Sequence, residues 1–172
     1  MSVRIVRPKE EVQYHKALRM PLYRPIEEIY GDFVSVEFKG MSWGKLFLMA
    51  SGVKHNLITW ESFEEIPSEN QPKLLPPNSP IFASTGHKME YLGYCDLKFK
   101  IDGHSFTDRF YVLDDLPENI LGYGFMAKFK ISIHCSKEKG VEFSFGEQLL
   151  KTYDINGQNM CHYCHRRSKQ MY

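Results

Sequence analysis

The chain has 172 residues, a formal net charge of +1, 42% hydrophobic and 25% charged residues, enough to bury a sizeable core in one domain with extensions. That charge balance gives no long-range field to hold nucleic acid or an anionic lipid surface, and the short basic cluster Arg166, Arg167 and Lys169 reads as a solvated tail. Cys95, Cys135, Cys161 and Cys164 are too few and too irregular for a disulfide scaffold, no apolar run is long enough for a bilayer, and Met1-Ser2-Val3-Arg4 opens no signal-peptide core.

Taken in chain order, residues 1–30 are expected to form an N-terminal arm. A short strand at 3–6 and a helical stretch at 8–18 are followed by Pro21 and Pro25, which break regularity. From Asp32 the pattern changes to period two, with Val34, Val36 and Phe38 alternating with Phe33, Ser35 and Glu37. Lys39-Gly40 supplies a turn, residues 45–49 a return strand, and 56–59 a further short strand leading into a small helix over 60–65. Residues 67–80, rich in Pro, Ser and Asn, read as a loop. Strands are expected at 81–84 and 90–101, with Asp102-Gly103 as a tight hairpin turn and 105–112 as its return. Residues 113–118 form a polar loop, then come a helical turn over 125–128 and strands at 130–134 and 141–145. Many short strands at close spacing, with 14% aromatic residues to pack on them, predict an all-β barrel or sandwich.

The stretch from Leu46 through Ala50-Ser51-Gly52-Val53-Lys54-His55-Asn56 to Ile58 resembles the active-site segment of retroviral-type aspartic proteases, the retropepsins. The likeness extends to proteases of Ty3/gypsy-type LTR retrotransposons, in which a His-Asn pair precedes the apolar residues. Downstream, Asn119-Ile120-Leu121-Gly122 resembles the family's Ile-Leu-Gly motif. Between the two, the segment around Ser84, Thr85, Gly86 and His87 looks like the flap hairpin, with Gly86 near its tip. The resemblance covers about residues 32–135 and implies a closed retropepsin-like barrel over 31–146. A C-terminal extension over 147–172 is expected to begin with a short helix or tail around 147–153. It also implies a homodimer, with an extended peptide or polyprotein substrate lying between the subunits.

One departure dominates. Ala50 stands where the family has its catalytic aspartate. Hydrolysis by this fold needs two carboxylates sharing a proton about one water, one from each subunit; a methyl group neither activates water nor protonates a leaving nitrogen. No adjacent acid replaces it, because Ser51, Gly52, Val53 and Lys54 follow. Ser51 keeps the hydroxyl that the resemblance assigns to cross-subunit hydrogen bonds. The choice of alanine favours a deliberately silenced protease that would otherwise process a polyprotein. Val53 and Lys54, in place of the usual small residues, favour a natural pseudoprotease that dimerises or binds peptides. A third possibility is an unrelated β-barrel interaction domain. Gly124 stands where many members of the resembled family have a polar residue, a position expected to vary.

Other constellations have plainer readings. Cys161, Cys164 and His165, with His162, have the residue types of a zinc site, and Cys-x-x-Cys-His also occurs at haem attachment; a polar tail with incidental thiols is preferred, so neither metal nor cofactor is expected. Asp114-Asp115 reads as a solvated turn, as does Asp32. His104 and His134 read as surface or packed residues, and Trp43 and Trp60 as core or interface anchors. Reduced thiols and the lack of a leader place the expected protein in the cytoplasm.

Overall fold

The structure, a computed structural model, describes residues 32–83 and 85–154. The expected N-terminal arm, Ser84 and the Cys161/Cys164/His165 cluster lie outside the described residues. In chain order the elements are β1 (Phe33–Phe38), β2 (Lys45–Ala50), β3 (Asn56–Thr59), α1 (Trp60–Glu64), β4 (Ile81–Phe82), β5 (Lys88–Met89), β6 (Gly93–Ile101), β7 (His104–Leu113), β8 (Asn119–Gly122), α2 (Tyr123–Lys128), β9 (Ile131–Ser136), β10 (Gly140–Phe145) and β11 (Gln148–Leu149).

Six strands close a barrel in the order β1-β2-β8-β3-β7-β6. Alternation determines which side chains fill it: on β6, Cys95, Leu97, Phe99 and Ile101 are buried while Asp96, Lys98 and Lys100 are exposed. Aromatic side chains make the centre. Phe38 meets Phe47 edge-on at 5.8 Å, Phe47 meets Phe110 at 5.9 Å, and Phe99 meets Phe110 at 5.3 Å. Such edge-to-face pairs add about 0.5–1.5 kcal/mol each beyond area burial. Trp60 packs on this core, whereas Trp43 is half exposed, with the Lys45 ammonium 4.9 Å from its ring centroid.

The Asp102-Gly103 turn is as expected. Ile101 pairs with His104 across a two-residue loop, and both turn residues have positive φ, 49° and 80°, the geometry that matches the twist of the flanking strands. α1 starts at Thr59, whose hydroxyl accepts from the Ser62 N–H at 3.0 Å.

Of the helix or tail expected over 147–153, residues 147–154 form an extended tail. β11 pairs with β10, the Leu150 N–H donates to the Phe143 carbonyl at 2.8 Å, and Tyr153 bridges back to Phe33. Leu150 is 1% exposed and joins the barrel core. Strand partners already in place on Phe143 and Phe33 satisfy this backbone, so it has no need of intrahelical bonds. Among the described residues, no helix is long and apolar enough to cross a membrane.

Candidate active site

β8 lies between β2 and β3, parallel to the first and antiparallel to the second. Ala50 is opposite Gly122, and Leu57 is opposite Ile120. The two sequence motifs, over sixty residues apart, therefore meet at one end of the barrel. The connection between β2 and β3 is fastened to the start of α2: the Tyr123 N–H donates to the Val53 carbonyl at 2.7 Å, and the Gly124 N–H to the Lys54 carbonyl at 3.0 Å.

Glycine is required at position 122 by proximity, since its φ is an ordinary −89°. A Cβ there would stand 2.5 Å from the Val53 carbonyl oxygen and 2.6 Å from that of His55. Gly124 is in the same position, with a Cβ coming within 2.8 Å of the Lys54 carbonyl oxygen. Position 124 is thus not free to vary in this chain, contrary to the expectation from sequence, because the loop backbone lies directly against it.

Two buried asparagines complete the framework. Asn56 accepts from the Gly122 N–H at 3.1 Å and donates to the Asp108 carboxylate and the Arg109 carbonyl, both at 2.9 Å. Asn119 accepts from the Thr59 N–H at 2.8 Å and donates to the Ser62 hydroxyl at 3.0 Å. Buried polar groups are tolerated only when bonded in this way. Asn56 was visible in the sequence as half of a His-Asn pair. Asn119 was only the residue ahead of Ile-Leu-Gly; its one signal was a polar side chain entering an otherwise apolar strand.

At the surface of the site, Ala50 is half-buried while Ser51 and Gly52 are exposed. The segment expected to be the flap is a hairpin of β4 and β5, closed by bonds from the Ala83 N–H to the His87 carbonyl at 2.7 Å and from the Gly86 N–H to the Ala83 carbonyl at 2.9 Å. Gly86 has φ +82°, which suits glycine at a turn; Thr85 and His87 are exposed. Ile81 and Met89 bury into a second small core with Leu57, Tyr91, Tyr111 and Leu113, and Ala83, Val53 and Ile120 pack against it. That cluster carries the flap base, the loop after Ala50 and the Ile120-Leu121-Gly122 strand together. Phe82 and Tyr123 remain about half exposed.

Electrostatically, the His55 imidazole is held below its usual range, first by burial and then by the neighbouring Lys54 ammonium. Its ring lies 4.8 Å from that of Tyr111, whose hydroxyl burial pushes up. Among the described residues, no group of three His, Cys, Asp or Glu side chains could hold a metal. His134 is exposed, and His104 hydrogen-bonds Gln148 at 2.7 Å while packing on Phe145.

The barrel as a whole has a counterpart among solved structures. The crystal structure of the retroviral protease-like domain of Ddi1 from Leishmania major matches with a TM-score of 0.55 over 74% of this chain and 98% of that chain. The fold is retropepsin-like. Sequence identity is 11%, so the likeness is one of fold, and neither a protein-family model nor a curated protein matches the chain. Within this retropepsin-like barrel, residues 50–55 contribute a methyl, a hydroxyl, an ammonium and an imidazole but no carboxylate. Acid–base hydrolysis through a shared carboxylate pair would need a carboxylate that residues 50–55 do not supply.

Proposed function

We propose that this chain is a retropepsin-type aspartic endopeptidase framework, built to process a polyprotein and silenced at position 50, where Ala50 takes the place of the catalytic aspartate. One observation carries the reading. The strand beside Ala50 is held against the loop that follows it, with Gly122 close under the loop carbonyls and Asn56 accepting from the Gly122 N–H, while position 50 itself lacks the carboxylate. Two copies related by a two-fold axis would place Ser51 and Gly52 of each subunit face to face, with the groove between them roofed by the two flaps. An extended peptide would lie there as an added strand, its main chain bonded and its side chains seated in alternate pockets. Phe82 and Tyr123, both half exposed, are suited to line that groove.

A second reading is a natural pseudoprotease acting as a dimerisation or peptide-binding module. Lys54 favours it: after burial, its ammonium is the second cause that lowers the His55 imidazole, and a fixed positive charge on this loop would hold a restored carboxylate pair ionised, against the sharing of one proton. Both readings require a dimer that holds peptides intact. Sedimentation equilibrium with the unmodified chain, paired with fluorescence anisotropy of labelled extended peptides and mass analysis of those peptides, tests that requirement. A dimer binding uncleaved peptide is the expected result; a strict monomer that binds no peptide at any concentration would overturn both.

A further inference from the structure

A cavity of about 730 Å³ opens at the end of the barrel remote from Ala50. Its walls come from the turn after β1, from the facing β6 and β7, and from the end of α2. The turn precedes Lys45, at the start of β2, and Ala50 ends the same strand, so roughly 17 Å of strand separates this cavity from the candidate active site. It owes nothing to that site.

Two features define what it could hold. Phe38, Phe99 and Phe106 border it but stay buried in the core, so its apolar contact surface comes from the partly buried Phe129, which stacks edge-on against Phe106 at 5.0 Å, and from Met41. The rim is basic. Lys39, Lys98, Lys100 and Lys128 line the cavity against a single acid, Glu37. Lys128 is already engaged by Asp108 at 3.2 Å, whereas Lys39, Lys98 and Lys100 make no ion pair among the described residues. The chain carries a net charge of only +1, so a concentration of unpaired lysines over an aromatic recess is local and does not reflect a generally basic surface. Long lysine stems extend apolar contact while their ammonium groups stay in water. The volume falls within the range of about 300–1,000 Å³ typical of small-molecule sites, too small for a folded partner.

We propose that this cavity binds a small organic anion, with an aromatic or acyl body seated against Phe129, Met41 and the lysine stems and a carboxylate, sulfonate or phosphate head held by Lys98, Lys100 and Lys39. Such a ligand satisfies both halves of the site: its body removes apolar surface from water, and its head neutralises charges that otherwise repel one another across the rim.

The test uses the full chain and 8-anilinonaphthalene-1-sulfonate as an anionic fluorescent probe, with uncharged 1-anilinonaphthalene as its control. Saturable one-to-one binding of the sulfonate is expected, weakened about tenfold or more by Lys98→Glu/Lys100→Glu, with binding of the uncharged control changed much less. Thr107→Trp, at an exposed position on the wall, fills the recess and should abolish binding of both. Circular dichroism and melting of each variant establish that the barrel is intact. Non-saturable binding, or sulfonate binding indifferent to both the charge reversal and Thr107→Trp in folded protein, would overturn the assignment. So would loss of sulfonate binding only when Tyr123, at the opposite end, is changed to alanine.

Discussion

Asn56 joins three segments through one side chain: the loop it ends, the start of α2 through Gly122, and β7 through Asp108 and Arg109. Asn56→Ala would leave the buried N–H of Gly122 without its partner and remove the part-buried bonds to Asp108 and Arg109, a loss of about 2–3 kcal/mol. Urea unfolding with an unchanged slope and a lower midpoint is the expected readout; a midpoint equal to that of the parent would mean that the framework tolerates the gap. His55 makes a pH prediction. Its folded pKa lies below the unfolded value of 6.5, from burial first and Lys54 second. In the interval between the two, the unfolded chain binds more protons, so stability rises with pH there. The contribution is complete above 6.5 and is lost as pH falls through the folded pKa. His55→Gln should therefore become relatively more stable against the parent as pH drops below 6.5, and a stability difference that stays constant with pH would refute the assignment.

Among the elements, local signals were legible and distant ones were not. Period-two alternation over 33–38 and 93–101 marks strands because one face is buried, and Val34, Val36 and Phe38 do fill the core. Asp102-Gly103 names its own turn because few residues accept two consecutive positive φ values. The candidate residues Ala50, Ser51 and Gly52 and the Ile120-Leu121-Gly122 segment were singled out by likeness, and the structure pairs Ala50 with Gly122. Their contact, however, is a parallel pairing between strands that have β3 to β7 between them in the chain, and nothing in either segment alone specifies the partner's register. The tightness at Gly124 was hidden for the same reason, since it depends on where the Lys54 carbonyl arrives. The segment after Phe145 misleads in isolation: its sequence allows a helix, but Phe143 and Phe33 supply strand partners. Leu150→Ala tests how much this segment contributes. Its side chain is 1% exposed within the main core, and truncation should cost about 3 kcal/mol, read as a fall in melting temperature. A change within error would show that residues 147–154 are only laid on the surface.

For the molecule as a whole, the barrel separates two ends. One end gathers Ala50, the Gly122 strand and the flap hairpin over a shared small core; the other opens into the lysine-rimmed aromatic recess. If the first end is a protease framework short of one carboxylate, restoring that group should restore chemistry without rebuilding anything else, because geometry accounts for much of the catalytic advantage once the acid–base pair is present. The measurement is cleavage of extended peptides by Ala50→Asp, followed by mass spectrometry at mildly acidic pH with and without pepstatin, beside the parent chain. Pepstatin-sensitive cleavage that appears only with the aspartate is the expected result. A folded, dimeric Ala50→Asp protein that leaves every peptide intact would contradict a silenced protease and leave binding as the function of the groove.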